Sequence, residues 1–359
     1  MDSQHFLSRF GATLPIVQAP MAGGSNTPEL VAACCNAGAL GSLGVPYTEP
    51  DQIAKTIAAI RKLTNRPFNV NIFAPGWKEQ LDVDPERMLE FLRPLYSEAG
   101  APEPKLPAKA MPRFEEQAEL LILEKLPIVS FTMGLFPETV MQALKANGTF
   151  VIGTATTVDE ALALEASGVD AIVAQGAEAG GHRGAFLSAH PESPIGTMAL
   201  VPQIVDAVRV PVIASGGIMD GRGIVAALAL GASAVQMGTA FLICRESGVS
   251  DAYKQAMLNA KEDQTLVTNS FSGRYARLIE NGYVREMRRA NMQPLPFPWQ
   301  NAMTGPMRKA AEKKNNADLM AIYAGQGLRM LRPVTAAELI ANLGHEMEQC
   351  VTSLCSHLR

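Results

Sequence analysis

The chain lacks a membrane span, a disulfide framework and a strong charge of either sign. No apolar run reaches the ~18 residues that a transmembrane helix needs. The first ten residues have neither the basic start nor the apolar middle of a secretion signal. Both absences lead to the expectation of a cytoplasmic protein. A net charge of −4 offers no footing for nucleic acid or an anionic membrane. The five cysteines (Cys34, Cys35, Cys244, Cys350 and Cys355) are odd in number and show no Cys-x-x-Cys spacing. That usage points to reduced thiols and no bound metal. Neither internal repeats nor low-complexity tracts are present. No Gly-x-Gly-x-x-Gly turn follows the first strand, which counts against an open nucleotide-binding sheet.

What is present is a regular alternation. The 359 residues are 47% hydrophobic, enough for a full core. Short apolar runs at 15–20, 39–44, 67–73, 127–131, 149–153, 170–175, 211–215 and 234–237 read as strands. Helical patterns separate them. Asn26 or Thr27 can cap the first, with Pro28 in its first turn and Gly38 as its stop. Thr157 caps another. Eight strands alternating with helices predict an α/β fold, a (β/α)8 TIM barrel spanning 1–247. Residues 74–112 break the rhythm with seven prolines and read as an excursion on the barrel rim, helical over 84–100. Residues 248–359 are expected to be mostly helical and to add a small cap over the barrel mouth. Their last helix, 335–358, can pack on its own barrel or on a partner's, which leaves a homodimer open.

The chemistry concentrates at Gln175 to Gly184, Gln-Gly-Ala-Glu-Ala-Gly-Gly-His-Arg-Gly. The preceding run, 170–174, reads as a buried parallel strand. Strand ends that open into glycine-rich loops are where barrels keep reactive groups. Gly180 and Gly181 allow close backbone approach. His182 and Arg183 supply titratable and charged groups. The plain alternative is a surface turn whose histidine faces water.

Two later loops suit an anion. Ser215-Gly-Gly-Ile-Met-Asp-Gly-Arg-Gly223 follows the seventh strand, and Gly238-Thr-Ala240 follows the eighth. Barrels often bind phosphate there, on exposed backbone N–H groups and a helix start. Tight turns with capping glycines are the alternative. A phosphate beside the histidine loop suggests a phosphorylated ligand across the mouth, either FMN or a nucleotide. For FMN, Met21 and Ala22 after Pro20 can offer backbone N–H groups, and Asn71 and Gln175 can face the pyrimidine edge. Either amide can instead be a satisfied buried group.

Several stretches together resemble one family. They are Gln18-Ala-Pro-Met-Ala-Gly23, Glu178-Ala-Gly-Gly-His-Arg-Gly184, Ser215-Gly-Gly-Ile218 with Gly221-Arg-Gly223, and Gln236-Met-Gly-Thr239. Gln300-Asn-Ala-Met-Thr304 and Ala324-Gly-Gln-Gly327 complete the set. The pattern is similar to that of nitronate monooxygenases, once called 2-nitropropane dioxygenases, and covers nearly the whole chain. The resemblance implies noncovalent FMN. Pro20 and Met21 would lie along its ring, with Asn71 and Gln175 on its polar groups. Gly180, Gly181, Ser215, Gly217, Gln236, Met237, Gly238 and Thr239 would serve its ribityl chain and phosphate. His182 matches the family's active-site histidine. Thr132 stands where some members carry a second histidine, which bears on substrate preference. Phe131, Thr132 and Arg183 are expected near the substrate.

The implied reaction is oxidation of an alkyl nitronate by O2 to a carbonyl compound and nitrite. Propionate 3-nitronate is a plausible toxic substrate by resemblance. His182 can act as base toward a neutral nitroalkane or as a donor to nitronate oxygens. Two rivals remain. One is an FMN-dependent NAD(P)H reductase of a quinone or enoyl thioester. The other is a noncatalytic barrel that binds a phosphorylated ligand.

Overall fold

A computed structural model describes residues 3–188 and 194–357. Residue 358, expected to end the last helix, lies outside the described residues. The strands are β1 (Ile16–Gln18), β2 (Ser42–Gly44), β3 (Asn69–Phe73), β4 (Ile128–Thr132), β5 (Phe150–Ala155) and β6 (Ala171–Gln175). Then come β7 (Gly181–His182), β8 (Val212–Ser215), β9 (Ala234–Met237), β10 (Thr265–Thr268) and β11 (Ala276–Ile279). Eight of them form one parallel sheet in the order β1-β9-β8-β6-β5-β4-β3-β2. A parallel bridge between Val17 and Leu40 joins its two edges and brings the sheet round into a barrel.

Local chemistry explains the wall helices. Thr27 accepts a hydrogen bond from the Leu30 N–H and caps Pro28–Asn36. Thr157 does the same for Val158–Ala166 through Glu160 N–H. Gly38 takes a left-handed turn, φ 93°, where the chain leaves the first of these helices for β2. The apolar faces of these helices pack on outward residues of the strands, such as Val70, Ile72, Val129 and Val151. Cys34 and Cys35 are fully buried in this layer, as small apolar groups.

Inside the barrel, side chains change character along the strands. At the amino ends, Val17, Ile128, Phe150, Ile152, Ala171, Val173, Ile213 and Ala234 form an apolar plug with Phe10. Phe10 comes from the helix Ser3–Phe10, and its ring meets Phe150 edge-on at 5.5 Å. Inward polar positions begin at the amino ends of β2 and β3, at Ser42 and Asn69, and lie at the carboxyl ends of β6, β8 and β9, at Gln175, Ser215 and Gln236. Asn69 Nδ2 donates to Ser42 Oγ at 3.1 Å and to Ser130 Oγ at 2.9 Å. Asn71 Nδ2 also donates to Ser130 Oγ, at 2.9 Å. The amide nitrogens of both residues therefore have partners, while Asn69 Oδ1 has none among the described residues.

A second core lies apart from the barrel. It gathers Met88, Leu92, Tyr96 and Ala99 from the excursion helix Glu86–Ala99 with Tyr283, Met287, Trp299, Met303 and Met307 from the later helices. The excursion thus packs against the helix Trp299–Lys313 rather than standing alone. The cap is not purely helical. β10 and β11 form an antiparallel pair, and β11 also pairs with β7. The last helix, Ala336–His357, returns to its own barrel wall, where Ala336, Leu339, Ile340 and Leu343 are buried. Among the described residues no helix is long and apolar enough to cross a membrane.

Candidate active site

Three strand ends set one row of polar side chains across the mouth. Gln175 of β6 is in register with Ser215 of β8, and Ser215 with Gln236 of β9. Gln175 is fixed at both ends of its amide. Its Nε2 donates to His182 O at 3.0 Å and its Oε1 accepts from Gly184 N–H at 2.8 Å. Asn71 reaches the mouth from β3 on the other side of the barrel. The turn after β8 holds Gly216 and Gly217 at φ 122° and 70°, a geometry that exposes backbone N–H groups. Pro20 and Met21 leave β1 beside the β9 loop, where a Cβ on Gly238 would stand 3.7 Å from Met21 Sδ. Met21 N–H is held by Asn26 Oδ1. Met237 points its side chain outward into the wall core, so only its backbone faces this loop.

The segment Ala324–Gly327, which matched the family without a stated role, closes over this end. Gly325 N–H donates to Thr239 Oγ1 at 2.9 Å, and Gln326 N–H to Glu178 O at 3.1 Å. A Cβ on Gly180 would lie 2.5 Å from the Ala324 carbonyl carbon and the Gly325 nitrogen. Gly180 is therefore needed for backbone to meet backbone. Gly181 is different. It has φ 78° and nothing within 4 Å of an added Cβ, so its face is open.

Next to Gln175, whose amide holds its carbonyl, lies the histidine. The loop that carries it is pinned as β7, with His182 opposite Ala276 and Gly181 opposite Arg277 of β11. Its ring sits among aromatic rings: Tyr323 at 5.4 Å, Phe297 at 6.0 Å and Phe73 at 6.2 Å between centroids. His182 Nε2 is 2.8 Å from Ser272 Oγ. A water-facing surface turn does not describe it. Burial in this box, with the positive charges of Arg274 and Arg308, pushes the imidazole pKa down to about 3. His182 is accordingly neutral at pH 7.

Arg274 and Arg308 come from the cap. Among the described residues the buried Nε–H of each has no partner, and neither have the buried hydroxyls of Tyr47 and Tyr323. Arg308 holds Asn301 by its carbonyl and side-chain oxygens at 2.8 and 2.9 Å, and Arg274 donates to Ala185 O. Burial raises the Tyr47 phenol, while Arg308 and Arg274 lower it, which places these groups in one neighbourhood. None of the four was marked out by a motif. They are scattered from 47 to 323 and meet only through the cap.

Two of the expected substrate residues lie elsewhere. Phe131 does not reach the mouth. Strand alternation sends it outward, where it stacks on Phe136 at 4.0 Å within the wall core. Its neighbour Thr132 faces inward, close to Gly184. Arg183 is 2% exposed and turns its guanidinium back onto the end of β6, donating to Gly176 O at 2.6 Å and Gln175 O at 2.8 Å. Burial and Arg277 hold its pKa down at about 10, still cationic at neutral pH.

The profile of the nitronate monooxygenase family matches residues 4–346. The chain belongs to that family. It is 44% identical over 337 residues to the probable nitronate monooxygenase of Bacillus subtilis strain 168, covering 94% of this chain and 96% of that one. Among solved structures it is similar to nitroalkane oxidase from Streptomyces ansochromogenes, with TM-score 0.90, 38% identity, and coverage of 98% and 100%. FabK from Thermotoga maritima shares the fold at TM-score 0.77 and 29% identity, covering 98% of each chain. Nitronate monooxygenases are flavin-dependent oxidoreductases, and family membership brings a nitronate substrate and O2 to this barrel.

Proposed function

We propose that the enzyme uses FMN to oxidise alkyl nitronates that carry a second anionic group, propionate 3-nitronate among them, to a carbonyl compound and nitrite. The observation that carries this reading is the cluster at the mouth. Two guanidinium groups and two phenols keep unpartnered donors beside a neutral histidine. Unpaired buried donors are costly unless a ligand takes them up. Guanidinium forks suit a carboxylate at one end of a short chain.

The residues fit a flavin phosphate on the opposite side. Ser215, Gly217, Gly238 and Thr239, with the backbone of Gly325, would hold the phosphate and ribityl chain. Gly180 lets that backbone approach, and the open face of Gly181 leaves room beside it. Pro20 and Met21 would flank the ring, Asn71 and Gln175 would meet its polar edge, and Gln236 would serve the ribityl chain. When bound, the flavin supplies the acceptor for the nitronate's electron and the route to O2. The protein's own part is to orient the nitronate, shield it with Phe73, Phe297 and Tyr323, and manage the proton. His182, neutral, takes the α-proton of a nitroalkane that arrives uncharged.

The test is a steady-state comparison of propionate 3-nitronate with propyl-1-nitronate. A kcat/KM at least ~10-fold higher for the first is expected from one charge-assisted contact. Equal values would remove the anionic subsite. In the same assay, turnover with NADPH and a quinone would favour the reductase reading.

A further inference from the structure

We infer that Ser272 is a positioning residue that holds His182 in the Nε2–H tautomer, leaving Nδ1 as the atom that takes the substrate's α-proton. This rests on the reading of His182 as the base.

The turn that carries Ser272 is built around a glycine. Gly273 has φ 82°, and a Cβ there would run into the carbonyl of Leu295, so only glycine fits. That turn brings the backbone of Arg274 back onto its neighbour's hydroxyl. Ser272 Oγ donates to Arg274 O at 2.9 Å and accepts from Arg274 N–H at 3.2 Å. A hydroxyl has one proton. With that proton given to a carbonyl, which can only accept, the oxygen must accept from the imidazole 2.8 Å away. The proton between them therefore sits on Nε2. Arg183 N–H, donating to Tyr275 O at 2.8 Å, and the β7–β11 pairing keep the two loops at this distance. Ser272 is 1% exposed, so water does not compete for the contact.

The consequence is a defined proton path. The α-C–H bond breaks, its electron pair moves into the nitro group, and the proton settles on Nδ1. The ring becomes a cation whose Nε2–H still points at Ser272. The charged groups that face the ring are Arg274, from the turn before β11, and Arg308, from the helix Trp299–Lys313. Tyr323 adds a phenol, and Phe73 and Phe297 are apolar. Both arginines oppose the ring cation, so the ring returns its proton readily after each turnover.

The first readout is nitrogen-15 NMR of the flavin-loaded protein with labelled histidine, at pH 8. The chain has five histidines, and His182→Asn identifies the relevant signal. A protonated Nε2 and a lone pair on Nδ1 are expected. A protonated Nδ1 would overturn the inference. The second readout is Ser272→Ala. It should lower kcat on neutral nitroethane by about 10-fold or more, and on preformed ethyl nitronate by much less. Equal losses on both would make Ser272 merely structural. The NMR result stands without substrate. If His182→Asn leaves nitroethane turnover intact, the base reading fails while the tautomer measurement still judges Ser272.

Discussion

The two sides of the barrel mouth are built by different rules. The side of Gln175, Ser215 and Gln236 is made by neighbouring parallel strands and the glycine turns that follow them. Each residue there lies within a few positions of a strand end. The side of His182 joins two barrel residues, Tyr47 after β2 and Phe73 at the end of β3, to the chain-distant Ser272, Arg274, Phe297, Arg308 and Tyr323 of the cap. The first side is a property of the barrel. The second exists only because the cap lies on the barrel and β11 pairs with β7. In the proposed reading the first side holds the flavin and the second the substrate.

Substitutions can break the two sides separately. The largest effect is expected on the histidine side. His182→Asn should lower turnover of neutral nitroalkanes by about 10²–10⁴-fold while flavin content stays near stoichiometric. Equal losses on nitroalkanes and preformed nitronates would show that His182 is not a base.

Arg308→Met should raise KM for propionate 3-nitronate by about 10-fold and leave KM for propyl-1-nitronate nearly unchanged. It also removes one of the charges that hold His182 down, so the imidazole pKa should move upward. A parallel rise in both KM values would place Arg308 in the fold rather than at the substrate.

On the cofactor side, Gly180→Val drives a side chain into the backbone of Ala324 and Gly325. Overpacking there should cost about 1–3 kcal/mol and loosen the flavin, seen as lower bound FMN after gel filtration. Full flavin retention with unchanged melting temperature would contradict the close contact.

A separate effect is on pH. His182 has its native pKa depressed from 6.5 to about 3. Between those values the unfolded chain binds the proton and the native protein does not. Stability from this group is therefore present above 6.5 and is lost as pH falls toward 3. Denaturant titrations should show that His182→Asn flattens this acid-side slope. An unchanged slope would mean that His182 is protonated in the native state.

The same contrast decides what could be read in the sequence. Thr27 and Thr157 cap helices where expected, and β6 ends at Gln175. These features depend on neighbours along the chain, so local pattern reveals them. Phe131 shows the limit. In a strand buried on both faces every residue is apolar or small, so the pattern does not say which face looks inward. It was expected at the mouth and lies in the wall. β10 and β11 lie in a polar stretch, without the apolar runs that mark the barrel strands. The helix Ser3–Phe10 was missed because its role, closing the barrel floor with Phe10, appears only in three dimensions. The arginine and tyrosine donors around His182 carry no motif. An isolated arginine in a helix looks like any solvated cation until its neighbours are known.

The most direct measurement is an anaerobic visible spectrum of the purified protein, followed during separate additions of propionate 3-nitronate and NADH. An FMN spectrum that changes promptly with the nitronate and stays unchanged with NADH is expected. Prompt bleaching by NADH, or no flavin absorbance after incubation with FMN, would contradict it.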